Sequence, residues 1–406
     1  MDRQKILFIC GHYASPRFAN SICVKNLTEE FCRMGCEVWV VGMNDTDVQK
    51  SEDKNGVHTI LLPEPFLTRA NNDNTKTNLL KNTYRGLLRF LHSVYSVFFY
   101  PNVDYPKSSV LFQVTSQIIR EEGINTVVAT YKPYSTIHCA IKLKKQFQAI
   151  RVVTYHLDLI MSPHNSSQII RKYKNALASS KLGKELSVVD KTLLPSSAVY
   201  LVSDKVSYVD FPLYIPTKEI ESTTRVDAFS ENTVNIAYVG SMDDINRNPS
   251  FIFRIIKQLP KLDGKMVVLH IWGGISESIL KETDSIKVLY RGVAQPDEVP
   301  GILDGADFIL SIGNKITYKM IPSKIFQMFA AKKPVIFLKK HEDDKSARYY
   351  QDYGTVCVIK EYRISNEQAV ALLSDFMGYY YKRNVMVSDK VFEKSTPSYI
   401  CNEILG

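Results

Sequence analysis

The chain has 406 residues, a net charge of +9, and 45% hydrophobic against 23% charged residues. That length exceeds what one hydrophobic core usually serves, and that balance excludes a disordered chain, so two globular domains are expected. No apolar run reaches the roughly 18–20 residues of a membrane-spanning helix, and Met1–Lys5 leads straight into a strand-like run rather than a secretory leader, so a cytoplasmic protein is expected.

Strand and helix signals alternate along the chain, as in parallel sheets with crossover helices. KILFIC (5–10) is a continuous apolar run suited to a buried parallel strand. A loop with Gly11, Ser15 and Pro16 follows, then a helical pattern from Phe18 to Met34 that Gly35 closes. EVWVVG (37–42), TVVAT (126–130) and RVVTY (151–155) read as further strands, with a helix predicted over Ser135–Phe147. AVYLVS (198–203) is expected to close the first sheet.

Between these, Asn78–Tyr100 breaks the rhythm. It carries Lys81, Arg85, Arg89 and His92 without an acid, interleaved with leucines, valines and phenylalanines. As a helix it is either a basic amphipathic surface for anionic lipid or a core helix with a solvated basic edge.

Phe211–Phe229 has weak periodicity and reads as the link between domains. The alternation then restarts with NIAYVG (235–240), MVVLHIWG (266–273), KVLYRG (287–292), DFILSIG (307–313) and PVIFL (334–338). Helix formers return over Asn366–Lys382 and Pro397–Leu405. The expected fold is α/β: two tandem Rossmann-like doubly wound domains, 1–213 and 214–389, with a cleft between them.

The positive charge points to phosphorylated small molecules or an anionic membrane surface, and no RNA- or DNA-binding pattern speaks for nucleic acid. The seven cysteines include no CxxC pair; Cys32 and Cys36 share a helix face, but two thiols alone do not make a zinc site. Free thiols in a reducing compartment are expected.

In doubly wound folds, ligands sit at the carboxyl ends of the strands. There Gly240-Ser241 precedes the basic turn NRNP (246–249), where Arg247 suits a diphosphate and Gly240 admits a close backbone. Ile321-Pro322-Ser323-Lys324 opens the helix KIFQMFAA, so free amides at Ser323, Lys324 and Ile325, with the Lys324 charge, suit a pyrophosphate. In the first half His12 follows the first strand, and His156 and Asp158 follow RVVTY. Inverting chemistry needs a general base, and an imidazole or carboxylate placed there, His156 or Asp158, suits one.

YVGSMDDINRNP, WGG, YRGVAQPDEVPGILDGADFILSIGN and IPSKIFQMFAAKKPVIF, in that order, resemble the donor half of GT-B glycosyltransferases, in particular family-4-like enzymes of bacterial surface-polysaccharide assembly. The start of the chain and VVTYHLDLI (152–160) resemble the acceptor half more weakly.

The resemblance implies a sugar transfer from a nucleotide-diphosphate sugar to a lipid-linked or oligosaccharide acceptor, without a cofactor. It implies that Gly240, Ser241 and Arg247 face the donor diphosphate, that Gly292 and Val293 lie near the nucleobase, and that Ser323, Lys324 and Gln327 flank the phosphates and ribose. His12 and Arg17 fall on the acceptor side, and the family's frequent aspartate at the end of the RVVTY strand makes Asp158 the leading candidate for the base. A last helix, about 390–406, is expected to cross back onto the first domain.

Two glutamates eight residues apart are usual in that family, and here Lys319 and Gln327 stand in their places. Neutral Gln327 still hydrogen-bonds a ribose, whereas Lys319 changes the handling of the donor sugar. Ser241 replaces a common arginine, which leaves Arg247 and Lys324 more of the charge to neutralise. Cations and oriented amides can stabilise a departing diphosphate, so a metal-independent reaction is expected; Asp243-Asp244 reads as a cap on the basic turn. A nucleotide-sugar epimerase and a non-catalytic nucleotide-sugar-binding partner are the alternatives. A dehydrogenase is disfavoured because no GxGxxG follows either first strand.

Overall fold

The computed structural model describes residues 3–13, 19–44, 48–63, 86, 94–95, 97–102, 105–158, 168–196, 203–215, 229–283, 285–383, 385, 387 and 389–406. The chain forms two compact units, Met1–Pro212 with Pro397–Gly406, and Leu213–Thr396.

The first unit contains, in order, β1 (Lys5–His12), α1 (Ala19–Arg33), β2 (Glu37–Asn44), β3 (Lys50–Lys54), β4 (Val57–Pro63), α2 (Tyr105–Glu122), β5 (Thr126–Tyr131), α3 (Tyr134–Gln146), β6 (Arg151–His156), α4 (Gln168–Leu186), β7 (Lys191–Pro195) and β8 (Val206–Val209). The sheet order is β3-β4-β2-β1-β5-β6-β7-β8. All pairs are parallel except the β3–β4 hairpin.

Helices cover both faces of the central strands, which is why Ile6–Ile9 are all fully buried and read as one apolar run. β3 (KSEDK) is exposed throughout, a charged edge held only by its ladder to β4. The predicted strand 198–203 lies almost wholly outside the described residues; the described sheet is closed by β7 and β8 instead.

The second unit contains β9 (Thr233–Val239), α5 (Ser250–Gln258), β10 (Met266–Trp272), α6 (Glu277–Glu282), β11 (Val288–Tyr290), α7 (Glu298–Gly305), β12 (Phe308–Ile312), α8 (Lys324–Ala330), β13 (Val335–Lys339), α9 (Ala347–Tyr353), β14 (Val356–Lys360) and α10 (Asn366–Tyr380). Its strands are all parallel, in the order β11-β10-β9-β12-β13-β14. Counted within the unit this is 3-2-1-4-5-6, the doubly wound order with its switch point between the first and fourth strands.

Ser365 starts α10 with a capping box completed by Gln368. After α10, the short turn Asp389–Ser395 remains with the second unit, where Phe392 packs 4.9 Å from the Phe329 ring and 5.1 Å from Tyr214. The last helix, α11 (Pro397–Leu405), belongs to the first unit and lies against α1. Lys191 pairs with Glu403 at 2.9 Å, and Arg151 donates to the Ile404 carbonyl at 3.1 Å.

Candidate functional site

The second unit's switch point lies between the ends of β9 and β12, and three glycines step away from it past β9, β10 and β11. The Gly240 amide donates to the Trp272 carbonyl and the Gly273 amide to the Gly292 carbonyl, each at 2.8 Å. The ledge exists because side chains are missing there. A Cβ on Gly273 would stand 1.9 Å from the Gly240 oxygen, and its φ of +140° is one that L side chains rarely adopt.

Beyond Gly240 the basic turn is built as the sequence suggested. Asp243 accepts from the amides of Ile245 and Asn246, while Asp244 accepts from the hydroxyls of Ser276 and Ser278. Both carboxylates therefore shape this edge of the unit. Asn246 then joins the loops after β9 and β12. Its amide nitrogen reaches Asn314 and Thr317 at 3.1 Å, its side-chain oxygen accepts from Ile316 at 2.8 Å, and its carbonyl accepts from Lys315 at 2.9 Å. Half-buried Arg247 donates from Nε to Asn314 Oδ1 at 2.7 Å.

Ser323 is the N-cap of α8, with no side-chain cap bond, and the Ile325 amide donates to the Pro322 carbonyl at 3.2 Å. Of the three amides expected to be free at this helix start, Ile325's is engaged because the last turn before α8 is tight. Lys324 is exposed to water yet crowded by protein. Its ammonium is held below the usual lysine range, first by loss of hydration and then by the charge of Arg247. The structure thus brings Arg247 and Lys324 within electrostatic reach of each other at the switch point.

Ser241 is exposed and Gln327 half-buried. Lys319 is exposed, its Nζ 5.9 Å from the Tyr318 ring centre. Tyr318 stacks on His341 with centroids 3.6 Å apart, and its carbonyl accepts from the Lys345 amide, so the loop after β13 is clamped to the loop after β12. Val293 stands 67% exposed at the outer end of the glycine ledge.

Behind Gly292 and Val293, Arg291 reaches back to buried His270. Its guanidinium donates to His270 Nδ1 at 3.1–3.2 Å, so the neutral ring donates from Nε2 to Asn235 Oδ1 at 3.1 Å. Burial first, and Arg291 second, lower the His270 pKa from 6.5 to about 4. The unfolded chain then binds a proton that the folded one refuses, so stability present above pH 6.5 is lost as pH falls toward 4. Urea titrations across that window are expected to show a loss of up to about 3 kcal/mol, and His270→Gln is expected to flatten the slope. An unchanged slope in the variant would remove His270 as its cause.

In the first unit the corresponding switch point lies between β1 and β5. Gly11 has no room for a side chain, since a Cβ would stand 2.6 Å from Pro133 Cδ and 2.9 Å from the Lys132 oxygen. Half-buried His12 ends β1. Asp158 follows β6 with its side chain 26% exposed, and its Oδ2 meets Lys132 Nζ at 3.4 Å. Arg17 lies outside the described residues.

His156 departs from the expectation that it follows its strand and faces a cleft. β6 runs one residue farther than the apolar pattern, so His156 is its last paired residue, opposite Tyr131. α4 covers it there: the residue is 1% exposed, and Nε2 lies 2.7 Å from Oε1 of fully buried Glu185. Among the described residues, His156 Nδ1 and Glu185 Oε2 make no hydrogen bond. Buried in this way, His156 is placed to position its neighbours and not to touch a substrate. Glu185 was not legible beforehand, because nothing in the sequence links residues 29 apart in different elements.

No protein-family model matches the chain, and no curated protein sequence does. Solved structures do match over its whole length. A UDP-forming α,α-trehalose-phosphate synthase from Burkholderia xenovorans aligns over 99% of this chain and 100% of its own, with 11% identity and a TM-score of 0.57. A glycosyltransferase from Rickettsia africae aligns over 100% and 97%, with 12% identity and a TM-score of 0.56. WaaG, a glycosyltransferase involved in lipopolysaccharide biosynthesis, aligns over 99% and 100%, with 11% identity and a TM-score of 0.54. At such identities the likeness concerns architecture, and it agrees with the strand orders of both units: the chain has the fold of the GT-B glycosyltransferases.

Proposed function

We propose that the chain is a glycosyltransferase whose second unit holds a nucleotide-diphosphate sugar and whose first unit engages a lipid-linked glycan acceptor. The observation that carries this reading is the pair Arg247 and Lys324. Two cations that repel each other, one of them in the loop that follows Gly240, are costly alone and are relieved by a ligand carrying two negative charges. A diphosphate is that ligand, and its charge grows as the sugar departs, so the same pair favours the transition state over the ground state.

In this reading Gly240 and Ser241 let the phosphates approach the backbone, Gly292 and Val293 flank the base, and Ser323 and Gln327 face phosphate and ribose. Asp158 takes the acceptor proton, and Lys132 holds its carboxylate in place. Asp243 and Asp244 are occupied with amides and hydroxyls, and the reaction proposed is metal-independent. Solved structures of like fold include a UDP-forming synthase and a glycosyltransferase involved in lipopolysaccharide biosynthesis, which supports the donor class and the polysaccharide setting. The basic segment Asn78–Tyr100 supports a membrane-side acceptor, but its cations Lys81, Arg85, Arg89 and His92 lie outside the described residues.

Calorimetric titration with uridine diphosphate and thymidine diphosphate tests the donor half. Arg247→Ala and Lys324→Ala are each expected to weaken binding about tenfold to a hundredfold, the scale of one charge-assisted hydrogen bond. Unchanged affinity in both variants would exclude this pair as the diphosphate site.

A further inference from the structure

The loops at the carboxyl ends of the second unit's strands hold more positive charge than a diphosphate needs. Besides Arg247 and Lys324, exposed Lys315 and Lys319 lie in the loop after β12, and exposed Lys345 lies in the loop after β13. The loops are tied together, since the Lys315 amide donates to the Asn246 carbonyl and the Lys345 amide to the Tyr318 carbonyl, each at 2.9 Å. Among the described residues none of these five cations is in an ion pair.

The acids of the same loops are spent elsewhere. Asp243 and Asp244 accept from amides and hydroxyls at their own edge of the unit. Glu342 pairs with Arg363 at 2.9 Å. Loss of hydration first, then Glu342, with Asp343 among the smaller causes, raises the pKa of the Tyr362 hydroxyl. Both exposed acids of the loop after β13 therefore lie toward the turn that follows β14. Buried Asp344 is turned against Gly313.

What stands beside Lys319 is a set of hydrogen-bond donors. Tyr318 and His341 stack with their ring planes 4° apart, and Lys319 Nζ is 5.9 Å from the Tyr318 ring centre. His341 Nδ1 accepts from the Asp343 amide at 3.0 Å, which leaves the proton of the neutral ring on Nε2. Among the described residues neither that Nε2 nor the Tyr318 hydroxyl makes a hydrogen bond. An ammonium, an N–H and an O–H with nothing to donate to suit a carboxylate, which accepts on two oxygens.

We infer that the donor carries an acidic sugar, a hexuronic acid, whose carboxylate meets Lys319 beside the Tyr318–His341 pair. The diphosphate takes up Arg247 and Lys324, and the sugar hangs from its outer phosphate, so a further anion in the same loops is a group on that sugar. The inference deepens the donor reading of this unit and rests on it. A phosphate monoester on the acceptor offers related chemistry, and the test separates the two sources.

The test is calorimetric titration with UDP-glucuronate, UDP-galacturonate and UDP-glucose, or with the same sugars on thymidine or guanosine diphosphate where that free diphosphate binds more tightly. Wild type is expected to bind at least one uronate about tenfold more tightly than the neutral sugar, the scale of one exposed charge-assisted hydrogen bond. Lys319→Gln is expected to erase that preference while affinity for the free diphosphate falls far less. Lys319→Arg keeps the charge and is expected to keep the preference. Lys319 is exposed, so each variant is expected to melt as wild type does. No uronate preference in wild type, or an undiminished one in Lys319→Gln, would overturn the inference. So would binding of glucose 6-phosphate, in the presence of the free diphosphate, that depends on Lys319 when the uronates have no advantage. Free diphosphate binding without a uronate preference sinks this inference alone; if no free diphosphate binds, the donor reading fails and takes the inference with it.

Discussion

Gly273→Ala is expected to destabilise the second unit by about 3–5 kcal/mol, the combined scale of a forced backbone conformation and an overpacked site. Its new Cβ would stand 1.9 Å from the Gly240 oxygen and 2.5 Å from the Gly240 carbonyl carbon. Backbone, unlike the tip of a flexible side chain, has no nearby place to go. Relief would require β10 and β9 to part at their carboxyl ends, which breaks the bonds from Gly240 to Trp272 and from Gly273 to Gly292. The neighbouring Gly274→Ala is the control. Nothing lies within 4 Å of a Cβ there, so its effect is expected to stay below about 1 kcal/mol. Urea unfolding of the two variants checks the pair, and equal stabilities would show that the ledge tolerates a side chain. Diphosphate binding is expected to fall with the ledge in Gly273→Ala and to persist in Gly274→Ala.

Asp158→Asn is expected to lower kcat by about a hundredfold to a thousandfold, the usual worth of a general base, with donor affinity unchanged. The amide keeps the shape of the carboxylate but has no basic oxygen for the acceptor proton. It also loses the ion pair with Lys132 at 3.4 Å, so Lys132→Ala serves as the second variant. If Lys132 only positions Asp158, its loss is expected to lower kcat much less than Asp158→Asn does and to leave donor affinity in place. Full activity in Asp158→Asn would remove it from the proton transfer and would favour a course that needs no base.

The fold was largely legible because buried parallel strands are written as apolar runs. KILFIC, EVWVVG, NIAYVG, DFILSIG and PVIFL all became strands, in two doubly wound sheets. The elements that escaped mostly carry a weaker or shorter signal, although β4 (VHTILLP) escaped despite its apolar end. β3 is five exposed polar residues defined by its pairing with β4, and β7, β8 and β14 are short strands of four or five residues near the sheet edges.

The candidate site divides along the same line. Residues defined by their place after a strand, such as Gly240, Arg247, Lys324 and Asp158, could be found by counting along the chain. Relations between elements could not. The clamp of Asn246 on Asn314 spans 68 positions, the stacking of Tyr318 on His341 joins two loops, and the burial of His156 follows from where α4 lies.

In the proposed reading, Lys319 and Gln327 bear on what the second unit does with a donor once bound. The ammonium of Lys319 lies on the Tyr318 side of the loop that leads to α8, where the family resemblance implied an acid. Among the described residues the loop after β13 brings Asp344 against the end of β12, its Oδ2 2.6 Å from where a Gly313 Cβ would stand. That carboxylate is buried and spends its other oxygen on Ser346.

The most direct test of nucleotide-sugar binding is a thermal-melt panel. Wild type and an Arg247→Ala, Lys324→Ala double variant are melted with UDP-, GDP-, ADP-, CDP- and TDP-sugars in excess. A ligand that binds only the folded protein raises the melting temperature by linkage. At least one sugar donor is expected to raise the wild-type midpoint and to leave the double variant unmoved. A panel in which no nucleotide sugar moves the wild type, or in which the double variant responds as the wild type does, would contradict a donor site built on these two cations.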